Sequence, residues 1–253
     1  MQGLPLRKLI VAILALTAVM SVILVPINWN GEEASTAAPK IDRLLDVMIV
    51  LSSFVFSIVM VMLVYAVWRW RARPGDESDG APIHGNTRLE ITWTVIPTVI
   101  VLFGAIYSWI TLADIEARDP DRMVVDVYGQ QFEWHFNYPT QGVTSRELHV
   151  PVDRQVEVRL HALDVIHSFW VPEWRLKKDA VPGITTRIFV TPDKTGDYTL
   201  ICTELCGIGH STMRAPVVVE DDQQTFDQWA GTQDPIPETE PKPGEVTPTP
   251  ITQ

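Results

Sequence analysis

The chain has 253 residues, 46% of them hydrophobic, and a formal net charge of -11 at pH 7. The acidic excess disfavours nucleic-acid binding, which requires surfaces rich in Lys and Arg. The length would suit one or two soluble domains, but three long uncharged stretches exclude a uniformly soluble chain. These stretches are Leu9 to Asn30, Val47 to Trp68 and Ile91 to Leu112.

The first uncharged stretch follows the basic residues Arg7 and Lys8. Residues 1–30 are therefore either a signal peptide or an additional N-terminal span. The apolar run exceeds the roughly 7 to 15 residues of a signal-peptide core, and the small residues from Ala34 to Ala38 lie far from its end. Both alternatives keep the basic residues inside the cell.

The second and third stretches are long enough to cross a bilayer, which requires about 20 predominantly apolar residues. They predict a transmembrane helical hairpin over residues 44–113, with spans at about 46–68 and 91–113. Arg69, Arg71 and Arg73 follow the first of these spans. By the positive-inside rule the connecting loop is inside, so the chain after about residue 114 is outside.

A pair of buried core helices is the alternative to this hairpin. Aromatic residues lie near both expected membrane surfaces, at Trp68, Trp70, Trp93, Tyr107 and Trp109. Such belts are typical of membrane interfaces, which favours the hairpin.

Beyond the hairpin the pattern changes to short alternating or apolar runs separated by Gly and Pro. The runs are Met123 to Tyr128, Glu147 to Val150, Val156 to Leu160, Thr186 to Val190, Tyr198 to Cys202 and Pro216 to Val219. Short strands at this spacing indicate a sandwich or barrel, and we predict an exported all-β Greek-key domain over residues 119–222. Residues 223–253 are predicted to be an acidic, Pro-rich disordered tail, because they carry few large apolar side chains.

Residues that can bind copper are concentrated near the end of this β region. The run Cys202-Thr-Glu204-Leu-Cys206-Gly-Ile-Gly-His210-Ser-Thr-Met213 is preceded by His167. Thiolate, imidazole and thioether together are soft and borderline ligands, which select copper over calcium or magnesium. The expected chemistry is electron transfer.

Three simpler interpretations of the cysteines remain open at this point. The two cysteines could form a disulfide of an exported domain, although a disulfide requires nothing from His210 or Met213. A mononuclear blue-copper site normally uses one Cys, so two thiolates suit a sulfur-bridged pair of metals. Zinc is possible by ligand type, although a closed zinc site has little use for a methionine.

The pattern Cys-x-Glu-x-Cys-Gly-x-x-His-x-x-Met, with His167 in Val165-Ile-His167-Ser-Phe-Trp170, resembles the dinuclear copper A centre of cytochrome c oxidase subunit II. The resemblance covers about residues 40 to 222 and implies a membrane α-helical hairpin plus an all-β cupredoxin-like barrel. The implied copper ligands are His167, Cys202, Glu204, Cys206, His210 and Met213. Both cysteines would bridge two copper ions, and Glu204 would bind copper through its carbonyl and magnesium, shared with subunit I, through its side chain.

The resemblance also implies the function and location of the chain. It would be the electron-transfer subunit of a terminal oxidase in the bacterial plasma membrane, with its C-terminal domain on the outer, periplasmic side. Electrons would pass from cytochrome c or an equivalent donor to haem in subunit I, where oxygen is reduced and protons are translocated. Subunit I and subunit III are the implied partners. Because the family often carries a signal sequence, the resemblance favours that interpretation of residues 1–30.

Further residues match motifs of the family. The family's Gly-His-Gln-Trp-x-Trp segment, whose first Trp is taken as the place where electrons arrive, has Phe132 at that Trp and Trp134 at the second. Either is our electron-input candidate, and strand packing is the alternative role. Glu90 matches a glutamate at the mouth of a proton pathway, although helix capping would also explain it. Asp179 falls in a motif near the magnesium.

The acidic excess of the exported region suggests a basic electron donor. Asp153, Glu157 and Asp164 are predicted to form the docking face for such a donor. His84, His135, His149 and His161 are left without a role.

Three other protein classes compete with this interpretation. A quinol oxidase subunit would lack the thiolates, and a copper chaperone or thiol reductase would not need Met213 or Glu204. Nitrous oxide reductase carries a similar copper centre in a large soluble chain, which the two predicted spans argue against.

Overall fold

The structure is a computed structural model that describes residues 5–71, 74–75, 82 and 84–237. The chain divides into two compact units. The first unit contains the chain up to residue 29 together with residues 43–111. The second contains residues 30–42 together with the chain after residue 111.

Within the described residues, three helices are long and apolar enough to cross a membrane: α1 (Leu6–Leu24), α2 (Ala38–Trp70) and α3 (Thr87–Ile115). The predicted spans lie inside α2 and α3, which confirms the hairpin helices. Most large apolar side chains of α3 are exposed, as expected for a helix that faces lipid. The helix α1 is compatible with both interpretations of residues 1–30. Most of the predicted connecting loop lies outside the described residues.

Polar side chains define where α2 and α3 begin. The Ser35 hydroxyl accepts a hydrogen bond from the Ala38 backbone N–H (3.2 Å). Asn86 Oδ1 accepts from the Leu89 N–H (3.2 Å), and Glu90 Oε1 accepts from the Asn86 N–H (3.1 Å). Such reciprocal bonds satisfy the free N–H groups of a helix start. Glu90 therefore caps the N-terminus of α3, as the capping alternative for this residue predicted.

The described part of the second unit contains eleven strands. They are β1 (Met123–Gln130), β2 (Glu133–Tyr138), β3 (Val143–Ser145), β4 (Leu148–Pro151), β5 (Val156–Ala162), β6 (His167–Val171), β7 (Leu176–Ala180), β8 (Thr186–Val190), β9 (Gly196–Cys202), β10 (Arg214–Glu220) and β11 (Asp234–Pro235). All six predicted runs are strands, with bounds shifted by at most two residues.

The strands pair into two sheets, in the orders β11-β3-β2-β1-β5-β8 and β4-β10-β9-β6-β7. The pairs β1/β5 and β4/β10 are parallel, and the other ladders are antiparallel. Apolar residues from both sheets form one core cluster that includes Val125, Phe136, Leu160, Phe169 and Leu200. The prediction of membrane helices followed by an all-β domain is confirmed, and the domain is a two-sheet sandwich.

The predicted disordered tail begins too early. Residues Gln223–Ala230 form a helix, α4, which Asp222 caps by accepting a hydrogen bond from the Thr225 N–H (2.7 Å). Phe226 of this helix is fully buried, and β11 pairs with β3 beyond it. Two aromatic side chains, Phe226 and Trp229, supply the apolar contact that the low overall hydrophobicity of the segment concealed. Residues 238–253 lie outside the described residues.

The segment that precedes α2 belongs to the β-domain. The Ala34 N–H donates to the Glu173 carbonyl (2.9 Å), and the Thr36 N–H donates to the Thr191 carbonyl (3.0 Å). Ala34, Ser35 and Ala38 are each fully buried. The small residues that could have marked a cleavage region therefore form part of the folded domain.

Candidate metal centre

The predicted copper ligands come from two neighbouring strands and one loop. His167 is the first residue of β6 and Cys202 is the last residue of β9. These strands are antiparallel partners with Phe169 opposite Cys202, so the start of one lies beside the end of the other. Cys206, His210 and Met213 follow in the loop between β9 and β10. The pairing brings His167 to the loop across 35 residues of sequence.

The side chains converge around the two sulfur atoms. Cys202 Sγ lies 3.9 Å from His167 Nδ1 and 3.9 Å from Cys206 Sγ. Cys206 Sγ lies 3.7 Å from His210 Nδ1 and 3.7 Å from Met213 Sδ. The carbonyl oxygen of Glu204 lies 3.4 Å from Cys202 Sγ. Both cysteines are free thiols, so the predicted alternative of a disulfide is not what the structure contains.

Burial and hydrogen bonding affect the two thiols differently. Burial alone would raise the pKa of Cys202, but hydrogen bonds from His167 and from the backbone at Ser168 and Glu204 lower its pKa to about 6. Burial, together with the negative charge on Cys202, raises the pKa of Cys206 to about 11. In the metal-free protein Cys202 is therefore the thiol that ionises first.

We expect iodoacetamide to modify Cys202 before Cys206 in the metal-free protein. The rate at Cys202 should rise with pH through about 6 and then level off, because the thiolate is the nucleophile. Cys206 should react only in alkaline solution. Peptide mass spectrometry over a pH series measures both rates, and His135→Gln provides a control outside the cluster. Equal rates at the two cysteines at pH 7 would contradict this expectation.

A carboxylate holds the ring of His167 from the side opposite the cysteines. Asp164 Oδ1 lies 2.8 Å from His167 Nε2. Asp164 also accepts hydrogen bonds from the backbone N–H groups of Gln131 (2.8 Å) and Val165 (2.6 Å). Because Nε2 is engaged, Nδ1 is the nitrogen available to a metal. Sequence reasoning assigned Asp164 to a docking face and missed this role, although its position three residues before a predicted ligand was a usable signal.

Close packing also restricts the position of the His167 ring. A methyl group at Gly129 would lie 3.0 Å from the ring of His167 and 3.1 Å from that of Trp134. The rings of Trp134 and His167 meet edge to face at 5.9 Å. Gly129 was not singled out from the sequence, because the need for a small residue appears only when β1 lies against β6.

The two electron-input candidates lie in different environments. Trp134 is 1% exposed and packs in the core between His167 and Phe169, so it does not reach the surface. Phe132 is 39% exposed. Its ring packs on the loop between β9 and β10, which we call the ligand loop, since a methyl group at Gly209 would lie 2.5 Å from the ring. Of the two, only Phe132 can meet a donor directly.

Four other exposed apolar side chains lie just before β6 and in the loop between β9 and β10. They are Val165, Ile166, Leu205 and Ile208. Leu205 is 78% exposed, and Ile208 is fully exposed. We call Phe132 and these four residues the apolar rim. Exposed apolar patches of this kind mark contact surfaces in soluble domains.

Two of the three residues predicted for the acidic docking face are engaged within the domain, whereas the third, Asp153, is exposed. Glu157 is 3% exposed, and its carboxylate pairs with Arg122 (2.6 Å), Arg159 (2.9 Å) and Arg187 (3.4 Å). Asp164 is engaged by His167. Three arginines around one buried carboxylate make this part of the β5–β8 face basic, because strand register places Arg159 directly opposite Arg187.

We expect Glu157→Gln to lower the free energy of unfolding by roughly 2 kcal/mol, because it leaves three guanidinium groups without a counter-charge. Burial opposes ionisation of Glu157, but its bonds to Arg122 and Arg159 lower its pKa overall. A lowered pKa stabilises the fold above the ordinary range of the carboxyl, and this contribution is lost as the pH falls through the lowered value.

Thermal unfolding at neutral and progressively more acidic pH tests this expectation. The difference between Glu157→Gln and the unchanged protein should be largest at neutral pH and should vanish in acid. Glu116→Gln, at an exposed position, is the matched control. A difference that stays constant with pH would mean that the charge of Glu157 is not the cause.

The remaining predicted side chains are not donors in the cluster. Glu204 has an exposed side chain, and Asp179 accepts a hydrogen bond from the Ser168 hydroxyl (2.7 Å) next to His167. His149 stacks on Trp229 and lies 2.7 Å from Glu220, while His161 lies 3.2 Å from Asp126. These two histidines have protein partners that explain their burial.

Comparison with known proteins gives two family matches. The model described as cytochrome c oxidase subunit II, transmembrane domain, matches residues 25–110. The model described as cytochrome c oxidase subunit II, periplasmic domain, matches residues 142–221.

Individual relatives are similar over most of the chain. Cytochrome c oxidase subunit 2 of Thermostichus vulcanus is 37% identical, over 78% of this chain and 76% of the relative. The same subunit of Synechocystis sp. is 32% identical, over 88% and 83%. Among solved structures, the periplasmic domain of subunit II of cytochrome oxidase from Bradyrhizobium japonicum is 28% identical, covering 46% of this chain and 95% of that chain with a TM-score of 0.43.

Proposed function

The chain belongs to the cytochrome c oxidase subunit II family, whose members are subunits of haem-copper oxidases, and on that premise we propose that its β-domain transfers electrons through a dinuclear copper A centre. The observation that carries the proposal is the convergence of two thiols, two imidazoles and a thioether around the two cysteine sulfurs, with only His210 half-buried. Cys202 and Cys206 would bridge the coppers. His167, His210, Met213 and the Glu204 carbonyl would complete the ligand set.

The donor set fits copper better than the alternatives. Met213 is fully buried with its sulfur aimed at Cys206, a use of methionine that a structural zinc site does not require. His167, Cys202 and Cys206 place one donor atom each within 4.8 Å of one another. When bound, the copper pair supplies one-electron redox chemistry with little change in geometry.

The surrounding residues keep this cluster dry and rigid. Cys202, Cys206, Met213 and His167 are each at most 4% exposed, so water does not compete for their donor atoms. Asp164 orients the His167 ring, and Trp134 packs against it. Rigid packing of this kind lets a centre change charge without rearrangement, which favours fast electron transfer.

Electrons would arrive through the apolar rim and leave toward haem in subunit I. Phe132 lies directly over the ligand loop, which makes it the shortest contact for an external donor such as cytochrome c. Because Glu157 and Asp164 are engaged by other side chains of the domain, docking by apolar contact is favoured over docking by an acidic face. The exposed Glu204 side chain remains our candidate for a magnesium ion shared with subunit I.

The membrane arrangement completes the proposal. The hairpin of α2 and α3 would place the β-domain on the outer side of the bacterial plasma membrane, as the position of Arg69 and Arg71 predicts. Subunit I and subunit III are the expected neighbours in the membrane. Oxygen reduction and proton translocation would occur in the complex rather than in this chain.

Copper quantitation and electron paramagnetic resonance on the full-length chain in detergent test the proposal. We expect two coppers per chain that share one unpaired electron, with a purple absorbance. One copper per chain with a mononuclear signal, or none, would contradict it.

Glu90 tests the proposed link to proton uptake. We expect Glu90→Gln to slow proton-coupled reduction in the complex several-fold, because glutamine cannot carry a proton as a carboxyl group does. Copper content and spectrum should stay unchanged, because the glutamine side-chain oxygen can still accept the hydrogen bond from the Asn86 N–H. Stopped-flow turnover at several pH values provides the measurement, with Glu116→Gln as the control. An unchanged rate would leave Glu90 as a helix cap alone.

A further inference from the structure

A polar pocket of about 310 Å³ lies in the second unit, away from the metal centre. Its lining comes from the start of α2, from the residues that end and follow α3, and from the β-domain. The charged lining residues are Lys40, Asp114, Arg118 and Asp119. The volume is at the lower end of the range for small-ligand sites.

The ends of two membrane-spanning helices indicate how far this pocket lies from the hydrocarbon core of the bilayer. Lys40 precedes the uncharged stretch that begins at Val47 by seven residues, or roughly 10 Å along a helix. Asp114 lies two residues beyond the end of the third uncharged stretch at Leu112. The lipid headgroup layer adds about 5 to 8 Å on each side of the hydrocarbon core. Asp114 therefore falls within this layer and Lys40 just beyond it, so the pocket is expected at the outer edge of the headgroups.

Arg118 offers an uncommitted guanidinium to this pocket. Its guanidinium carbon lies 5.2 Å from the centre of the Phe189 ring, which holds the group by a cation–π contact. Among the described residues no carboxylate pairs with Arg118. The planar fork of an arginine matches two oxygens of a phosphate.

The pocket also carries negative charge. Lys40 Nζ lies 2.6 Å from Asp114 Oδ2, and both groups are partly exposed. The Asp119 carboxylate accepts one hydrogen bond, from the Asp121 N–H (2.8 Å), and has remaining acceptor capacity. Two cations and two carboxylates complement a ligand that itself carries both signs.

We propose that this pocket binds the headgroup of an aminophospholipid. Arg118 would take the phosphate and Asp119, aided by Asp114, would take the primary ammonium. A choline headgroup has no N–H to donate to the carboxylates, and a glycerol headgroup has no positive charge.

Native mass spectrometry of the whole oxidase complex tests the proposal. The complex is equilibrated in nanodiscs with equal amounts of phosphatidylethanolamine, phosphatidylcholine and phosphatidylglycerol, and the retained lipids are counted after mild extraction. We expect Arg118→Gln to retain one phosphatidylethanolamine fewer, with roughly ten- to hundredfold weaker retention. Asp119→Asn should shift retention toward phosphatidylglycerol.

Matched measurements separate the proposal from trivial causes. Arg146→Gln removes an exposed arginine outside the pocket and should leave lipid retention unchanged. Unchanged copper content and thermal unfolding will show that Arg118→Gln folds. Equal phosphatidylethanolamine retention in Arg118→Gln and the unchanged complex overturns the proposal. So does Arg118-dependent binding of inorganic phosphate by the delipidated complex without preference for the aminophospholipid.

Discussion

Replacing Cys202 with serine will leave the chain unable to hold two coppers. The Cys202 sulfur lies 3.9 Å from His167 Nδ1, 3.4 Å from the Glu204 carbonyl oxygen and 3.9 Å from Cys206 Sγ. A serine hydroxyl oxygen is a harder donor than sulfur, forms shorter bonds and stays protonated at neutral pH. It therefore cannot replace a thiolate that bridges two coppers. We expect copper content to fall to one or none and the mixed-valence signal to disappear.

The same substitution should nearly abolish oxidation of a reduced donor by the complex. Substitutions of residues that only support a ligand cost roughly 10- to 100-fold in affinity or activity, and loss of the bridging ligand should cost more. Oxygen consumption with reduced cytochrome c, together with copper quantitation on the same sample, measures both effects.

Thr203→Val is the matched control for this experiment. Thr203 lies next to Cys202 in the same loop, and its buried hydroxyl has no hydrogen-bond partner among the described residues. Replacing it keeps the shape of the loop and every ligand, so copper content should be unchanged. A Cys202→Ser chain that still holds two coppers with the same spectrum would refute the bridging role.

Replacing Arg175 with leucine will lower the free energy of unfolding more than Glu157→Gln does. The Arg175 side chain is 4% exposed. Its guanidinium donates to both carboxylate oxygens of Asp42, with its closest contact at 3.0 Å, and to the carbonyls of Gly31, Glu32 and Pro172. These bonds tie the segment before α2 and the first turn of that helix to the β-domain.

Breaking one partner of a largely buried ion pair typically costs about 3 to 5 kcal/mol, because the remaining charge has no partner. Arg175→Leu would also leave the three carbonyls without their donor. For a chain of this size the expected fall in Tm is roughly 10 °C. Differential scanning fluorimetry measures it, and limited proteolysis should show earlier cleavage between residues 30 and 36.

Arg187→Leu is the control, because this arginine is half exposed and lies 3.4 Å from an already paired carboxylate. Its Tm should fall by no more than a few degrees. Equal effects of the two substitutions would mean that the Arg175 network contributes no more than a surface ion pair.

Local patterns were sufficient to predict the architecture. Uncharged runs of spanning length identified α2 and α3, and alternation identified six strands, since both signals reside in neighbouring residues. The metal motif was equally local, because Cys202, Cys206, His210 and Met213 occupy a single loop. Strands such as β2 and β6 escaped prediction because they are buried on both faces or interrupted by polar residues, which hides the alternation.

Charge assignments from sequence were less successful. Glu157 is an acidic side chain in an acidic region, which made it a docking candidate. In the structure, however, its carboxylate pairs with three arginines that lie apart in sequence. The helix α4 was likewise missed, because Phe226 and Trp229 become a stable contact only against β4 and its neighbours. In each case the contact partner belongs to another strand or helix, so the sequence of one segment alone does not identify it.

The amino-acid sequence by itself determined the membrane helices, the β class of the second domain and the residue types of the candidate metal donors, because each depends on residue type and short-range spacing. Only the tertiary structure decided that Asp164 orients His167, that Trp134 is buried while Phe132 is exposed, and that Arg175 binds Asp42. The physical reason is that hydrogen bonds, ion pairs and exposure depend on the register between strands distant in sequence, which is set by the packing of the whole domain.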